Sequence, residues 1–540
     1  MSDFLTQVQA AERAIREVFP PTPLQRNAHL SARFDADIWL KREDLSPVRS
    51  YKIRGALNAM RKVRAKNPEQ QIFVCASAGN HAQGVAYMCK EYGVHGVIFM
   101  PVTTPQQKIA KTEIFGGDNI EIRLVGDYFD DTLAAAQAYC ADEGAHFLAP
   151  FDDDDVIEGQ ATVANELLTQ LGRVPDHVLL PVGGGGLSAG VRQFLGTQPR
   201  YSFIEPLGGG SLQAALRAGH PVTLEKVDTF VDGAAVACIG QRTFALLKDV
   251  AISDVFLAPE DRICTTILDM LNVEGIVLEP AGALAVDALV DVADQIRGKT
   301  VVCVTSGGNF DFERLPEVKE RAQRYSGVKK YFILRLPQRP GALKEFLTIL
   351  GPEDDIARFE YLKKSARNFG SVLIGIETGD ARNFETLFAK LDKAGFVYRD
   401  ITNDQTLAEF LKQALVDTGP VVEAVDMGRV AVEAVAEGGV AFAFARTGVA
   451  RVDHRDLRAV KRQGAVERPG RLVGFSGKGT AARVPRGVVG QSVDAHEPRA
   501  FAGEPACLEG RISNLFARHL KGRGRPVAHR RLGGELDPAL

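Results

Sequence analysis

Three continuous apolar runs, each ending in a loop of glycine and small polar residues, limit what this 540-residue chain can fold into. They are Ile72-Phe73-Val74-Cys75-Ala76, His177-Val178-Leu179-Leu180-Pro181-Val182 and Thr300-Val301-Val302-Cys303-Val304. A strand that is apolar on both faces has to be covered on both faces, which is the situation of a parallel sheet flanked by helices. Strand-like and helical segments alternate to about residue 325, as βαβ units require, so the chain reads as α/β. Open parallel sheets bind ligands beyond the carboxyl ends of their strands, so the loops that close these runs are the candidate site.

The loop Ser77-Ala78-Gly79-Asn80-His81 leads into a helix ending near Tyr92. Unpaired N–H groups at such a helix start suit an anion, here a substrate carboxylate. Asn80 adds an amide able to bond a ring hydroxyl. An ordinary βα turn with a polar cap would look the same. Four consecutive glycines, Gly183, Gly184, Gly185 and Gly186, precede Leu187. They let backbone approach a ligand closely and form a nest for phosphate. The same stretch fits a dinucleotide fingerprint, Gly184-x-Gly186-x-x-Ala189, with Glu205 placed as a ribose-binding acid. A nicotinamide-dependent oxidoreductase is therefore the rival reading. It leaves without a duty both the third loop, Thr305-Ser306-Gly307-Gly308-Asn309, and the lysine considered next. Ser306 brings a hydroxyl to a strand end, unless it merely closes a turn.

That lysine is Lys52, in Ser50-Tyr51-Lys52-Ile53-Arg54-Gly55-Ala56, after the strand-like Ile38-Trp39-Leu40-Lys41-Arg42-Glu43-Asp44-Leu45. An amine on an apolar and aromatic background is desolvated, loses basicity and becomes nucleophilic enough to attack a carbonyl. The plain alternative is a solvated lysine at a helix start.

Together with Glu279-Pro280-Ala281-Gly282-Ala283, these motifs resemble the serine/threonine dehydratases, of the fold type II (tryptophan synthase β-like) pyridoxal phosphate enzymes. The resemblance runs from about Thr22-Pro23-Leu24 to about Asn403. Beyond about residue 325, Leu336-Pro337-Gln338-Arg339-Pro340-Gly341-Ala342-Leu343 is similar to the single ACT-like regulatory domain of the shorter biosynthetic threonine dehydratases (threonine ammonia-lyases). The resemblance implies that Lys52 carries pyridoxal phosphate covalently and then serves as base for the Cα proton. It implies that Asn80 bonds the ring 3-hydroxyl, Gly183 to Leu187 hold the phosphate, and Ser306 faces the pyridine nitrogen, leaving it largely unprotonated. Ser77, Ala78, Gly79, Asn80 and His81 would receive the substrate carboxylate. The implied reaction takes L-threonine to 2-oxobutanoate and ammonia, with isoleucine as feedback inhibitor opposed by valine, in a homotetramer. Ala78 stands where many members have a second serine, and Tyr201-Ser202-Phe203-Ile204-Glu205-Pro206 departs from the usual Gly-Val-Glu-Pro. Both bear on fine specificity, and a serine dehydratase or racemase on the same fold is the alternative.

A net charge of −3 gives no footprint for nucleic acid. The charged N-terminus shows no apolar signal segment and no run nears the roughly 20 residues of a membrane span, so a cytoplasmic protein is expected. Seven scattered cysteines without a CxxC pair suit reduced thiols and no metal site. The expected domains are 1–325, catalytic, with a smaller subdomain at about 50–150, and 326–412, ACT-like with βαββαβ order. An amphipathic helix over Phe4–Val18 opens the chain, and Asp152–Asp155 reads as a solvated loop. Residues 413–540 change character, with 17 Arg against 3 Lys and no Tyr or Trp. Neither helical nor strand periodicity persists there. The reading is a non-native or disordered extension without a packed core.

Overall fold

The computed structural model describes residues 2–362, 368–404, 442–445 and 448–451. The chain divides into two units, residues 1–423 and 424–540. The first opens on the helix Ser2–Val18, whose Val8, Ala11 and Ile15 are buried one turn apart.

Two parallel sheets follow. The larger has the order Leu24–Arg26, Asp37–Arg42, Thr300–Thr305, His177–Pro181, Arg200–Pro206, Val255–Ala258, parallel except for its first, edge strand. Every residue of Thr300–Thr305 and His177–Pro181 is buried, which explains their unbroken apolar pattern. The smaller sheet has the order Ile120–Leu124, His95–Met100, Ile72–Ala76, His146–Phe147, all parallel. It falls within the stretch expected as a subdomain. The helix Lys52–Lys66 belongs to its core: Ile53, Leu57 and Met60, on one helical face, pack with Phe73, Val85 and Ile98.

Two local expectations change. The strand read as Ile38–Leu45 ends at Arg42, and Glu43–Leu45 form a tight 3-10 turn. The turn buries Glu43 and Asp44, so those acids end the strand where they find cations, Arg54 for one and Arg42 for the other. Asp152–Asp155 are not a solvated loop. Asp153 caps the helix Asp154–Leu171 by accepting from the N–H groups of Asp155 and Val156. Asp152 accepts from the N–H groups of Gln241, Arg242 and Thr243.

From Lys329 the order is strand Lys329–Pro337, helix Ala342–Leu347, strands Asp355–Leu362 and Phe369–Glu377, helix Asn383–Lys393 and strand Val397–Asp400. The strands pair antiparallel with the first and third in the centre, the ferredoxin-like arrangement. Phe332, Leu334, Leu336, Val372, Ile374 and Ile376 alternate onto one face, against Phe346, Phe384 and Leu387 of the helices. The first of these helices has six residues.

In the second unit the described elements are the antiparallel strands Phe442–Ala445 and Gly448–Arg451. That pair falls in the stretch expected to lack strand periodicity. The remainder of the expected tail lies outside the described residues.

Candidate active site

Asp37–Arg42, Thr300–Thr305 and His177–Pro181 are neighbours in the larger sheet, with Thr305 opposite Arg42 and Cys303 opposite Leu179. Their carboxyl ends release Lys52, Ser306 and the glycine loop at one edge of that sheet. Two interlocks join these loops. Tyr51 N–H donates to Ser306 O at 3.1 Å, and Gly308 N–H donates to Arg49 O at 2.9 Å. Ser50 and Gly307 form an antiparallel bridge. Asn80, from the smaller sheet, joins them through its side chain. Its Oδ1 accepts from Asn309 Nδ2 at 2.7 Å, and its Nδ2 donates to Glu279 Oε1 at 2.6 Å. The amide nitrogen has two protons, so one remains for a ring hydroxyl.

Lys52 is the first residue of its helix. Its Nζ donates to Pro150 O at 2.8 Å and lies 5.5 Å from the Tyr51 ring and 5.9 Å from the Phe151 ring. Burial lowers its pKa from 10.5 to about 8, against the opposing pull of the Glu279 charge. An amine so placed has a far larger neutral fraction near neutral pH than an ordinary lysine, which favours attack on an aldehyde.

The glycine loop fits a phosphate. The carbonyl of Gly184 is in use, accepting from Thr243 Oγ1 at 2.7 Å. No acceptor among the described residues takes the N–H groups of Gly183, Gly184 or Gly185. Gly186 and Leu187 add the free N–H groups of a helix start. A Cβ at Gly184 would stand 2.2 Å from the Phe151 ring, so glycine alone lets the loop run beneath that ring. Ser306 is 3% exposed, and its hydroxyl donates to Ala281 O across a long 3.2 Å. A hydroxyl so loosely held can turn to a ring nitrogen. Lysine, phosphate nest, amide and serine together match the donor set that pyridoxal phosphate needs.

In the loop Ser77 to His81, Ser77 Oγ accepts from Gly79 N–H at 3.2 Å. The His81 ring turns inward to Leu148 O at 2.9 Å and is 3% exposed. Burial and the Lys52 charge lower its pKa to about 3. The ring is thus a neutral strut, and what His81 offers an anion is its backbone N–H, beside that of Asn80. Glu205 is not free for a ribose: it caps the helix Ser211–Ala218, accepting from Leu212 N–H at 2.6 Å and Gln213 N–H at 2.9 Å. That removes the acid the oxidoreductase reading needed.

Sequence reasoning gave no role to Glu279, Phe151 or Pro150. Glu279 stands inside a quoted motif, so its signal was visible. Phe151 and Pro150 carry no pattern and are brought in by the fold. The turn Arg339-Pro340-Gly341, in the motif that resembles the regulatory domain, leads into the helix Ala342–Leu347. Arg339 pairs there with Glu345 at the surface, with bonds of 2.8 and 2.7 Å.

Among the described residues no helix is long and apolar enough to cross a membrane. Residues 15–307 match the family of pyridoxal-phosphate-dependent enzymes, and residues 320–411 match the C-terminal regulatory domain of threonine dehydratase. The chain is 47% identical over 405 residues to the biosynthetic L-threonine dehydratase of Bacillus subtilis, covering 74% of this chain and 96% of that protein. With the Lactococcus lactis enzyme of the same name the identity is 43% over 414 residues, covering 75% and 99%. The solved structure of processed threonine deaminase isoform 2 from Solanum lycopersicum superposes with a TM-score of 0.55 at 36% identity, covering 60% of this chain and 94% of that one. A matching family model over more than half of the chain and relatives matched along almost their whole length place this chain in the pyridoxal-phosphate-dependent enzymes, among the threonine dehydratases.

Proposed function

We propose that this chain converts L-threonine to 2-oxobutanoate and ammonia, the entry step of isoleucine synthesis. The observation that carries the reading is Lys52, an amine with lowered basicity where the phosphate-type nest, Ser306 and Asn80 converge. Relatives named for this activity support it. Residues 1–325 are the catalytic part, 326–412 the regulatory part and 413–540 an extension without a catalytic role.

Each residue has a task that its surroundings suit. Lys52 anchors the cofactor and, once displaced by the substrate amine, takes the Cα proton. The N–H groups of Gly183 to Leu187 hold the phosphate. The Asn80 amide, oriented by Asn309 and Glu279, bonds the ring hydroxyl. Ser306, a neutral donor, leaves the ring nitrogen unprotonated. Ser77 and the N–H groups of Asn80 and His81 receive the substrate carboxylate, with Gly79 leaving open space over the loop and Ala78 giving it an apolar wall. Bound pyridoxal phosphate supplies the electron-withdrawing ring that takes up the electron pair left at Cα. The regulatory part binds an amino-acid effector, isoleucine opposed by valine, and the protein works as a cytoplasmic homo-oligomer, a tetramer.

The test is Lys52→Ala. The wild type is expected to be yellow, to be bleached by borohydride and to form 2-oxobutanoate from threonine. The variant is expected to fold, to hold no covalent cofactor and to be inactive. Ammonia release by Lys52→Ala at the wild-type rate would end this reading.

A further inference from the structure

A β-hydroxyl leaves readily only as water, so elimination from threonine calls for a proton on the departing oxygen. Lys52 is occupied with the proton from Cα. One carboxyl that touches Asn80 takes no part in proton transfer in the scheme above, where it only orients that amide. Glu279 is 5% exposed, and what is open of it lines a cavity of about 460 Å3 with Lys108, Asp232, Pro280 and Asn309.

It is fixed there from several sides. Its N–H donates to Gly307 O at 3.2 Å, and its Oε1 accepts from Asn80 Nδ2 at 2.6 Å. A Cβ at Gly307 would lie 2.0 Å from that oxygen, so the carboxyl abuts the loop of Ser306. Oε2 has neither hydrogen bond nor ion pair among the described residues. Lys108, a cation lining the cavity, is paired with Asp232 instead. A buried carboxylate without a cation is costly, and protonation relieves the cost. Burial and the Asp232 charge raise its pKa from 4.5 to about 7, against the Asn80 bond and the charges of Lys108 and Lys111. The carboxyl also acts on Lys52, so it lies within electrostatic reach of the base.

We propose that Glu279 is the general acid that protonates the departing β-hydroxyl of the substrate. The proposal rests on the threonine reading. As the Cα–H bond breaks, its proton goes to Lys52 Nζ, and the electron pair left at Cα becomes the Cα=Cβ bond. The Cβ–O pair leaves with the oxygen, which takes the proton of Glu279 Oε2 and departs as water. Lys52 has gained one proton and Glu279 has lost one; Glu279 regains its proton from solvent through the cavity it lines, and Lys52 gives its own up before the next turnover. The released enamine adds water and yields ammonia and the 2-oxo acid, without a change of redox state beyond that internal to the substrate.

The experiment compares wild-type and Glu279→Gln holoenzymes on L-threonine and on β-chloro-L-alanine, whose chloride departs without a proton. Glutamine keeps the shape and still accepts from Asn80, and cofactor absorbance reports that the site is loaded. The threonine kcat is expected to fall about 100-fold or more, in the range of lost acid catalysis. The loss on β-chloro-L-alanine is expected to be at least about 30-fold smaller, with solvent deuterium still entering Cα of threonine. Glu279→Asp, still an acid, is expected to recover part of the threonine rate. Equal losses on both substrates, or no loss on threonine, overturn the proposal. A wild type that dehydrates serine and leaves threonine intact overturns the substrate reading alone, and the same comparison with serine then decides on Glu279.

Discussion

Phe151 closes over Gly184 so tightly that the smallest side chain has no room, 2.2 Å from the ring. Gly184→Ala must push away either the ring or the loop, an overpacking that costs about 1–3 kcal/mol. The expected result is a rise of about tenfold or more in cofactor Kd with little change in the far-ultraviolet spectrum, measured by titrating the apoprotein. Unchanged affinity would mean that the phosphate is held elsewhere. Ser306 gives a different kind of test. Ser306→Asp sets a carboxylate where the proposal places the ring nitrogen, which favours the protonated ring and strengthens its pull on electrons. Elimination is expected to slow at least about tenfold relative to deuterium exchange at Cα, followed in one sample by ammonia release and by NMR. Faster elimination without added exchange would take Ser306 away from the nitrogen. Serine and threonine differ by one methyl, worth only about 1–3 kcal/mol in a pocket, so substrate preference hangs on finer contacts than these.

At the level of elements, the helix that begins with Lys52 is moored by a buried ionic cluster. Arg54 is fully buried and reaches Glu43 Oε2 and Glu166 Oε1, both at 2.7 Å, while Lys41 Nζ meets Glu166 Oε2 at 2.6 Å. The cluster ties the helix Lys52–Lys66 to the strand Asp37–Arg42 and the helix Asp154–Leu171. Burial alone would raise the Glu166 pKa, but the charges and hydrogen bonds of Arg54 and Lys41 win and hold it at about 2, below the ordinary 4.5. A depressed folded-state pKa contributes stability that is present above 4.5 and lost as the pH falls through about 2. His177 acts in the same direction. Burial, with the Arg200 and Lys299 charges, lowers its pKa from 6.5 to about 4, so the folded state resists its protonation on acidification. Glu166→Gln is expected to cost about 3–5 kcal/mol near neutral pH, because Arg54 and Lys41 stay buried with Glu43 alone to balance their two charges. It should also flatten the acid limb of stability, read as the urea midpoint against pH. A variant as stable as wild type would show the cluster to be neutral in energy.

For the whole molecule the question is how the ferredoxin-like sheet addresses the catalytic part. The two are joined by the helix Leu315–Tyr325, from which Arg324 Nη2 donates to Thr402 O at 2.8 Å and Glu320 pairs with Lys329 at 2.6 Å. Effector and substrate affinities are reciprocally linked, typically by about 1–3 kcal/mol. Threonine saturation with and without isoleucine is to be compared in the full chain and in chains ending near residues 413 and 325. Isoleucine is expected to shift the curve equally in the first two and not in the third. A shift in the shortest chain would put the effect at the active site, and loss of activity on ending near 413 would make the tail a working part.

What the residues determined by themselves is local and periodic. Both-sided apolar runs such as Thr300–Val304 announce buried parallel strands, runs of glycine announce an anion nest, and the alternation in Tyr331–Leu336 announces a half-buried strand, because each is enforced by the next few residues. The tertiary structure decided the rest. It turned Asp153 into a helix cap and Asp152 into an acceptor for a distant loop, since N–H groups left open at helix starts recruit whichever carboxylate is brought near. It gave Glu205 to a cap instead of a ligand. It set Glu279, 199 residues from Asn80, at that residue's side chain, making a motif residue without an assigned role into a buried acid within electrostatic reach of Lys52. Charge placement of that kind depends on desolvation and on partners distant in the chain, and no local pattern encodes either.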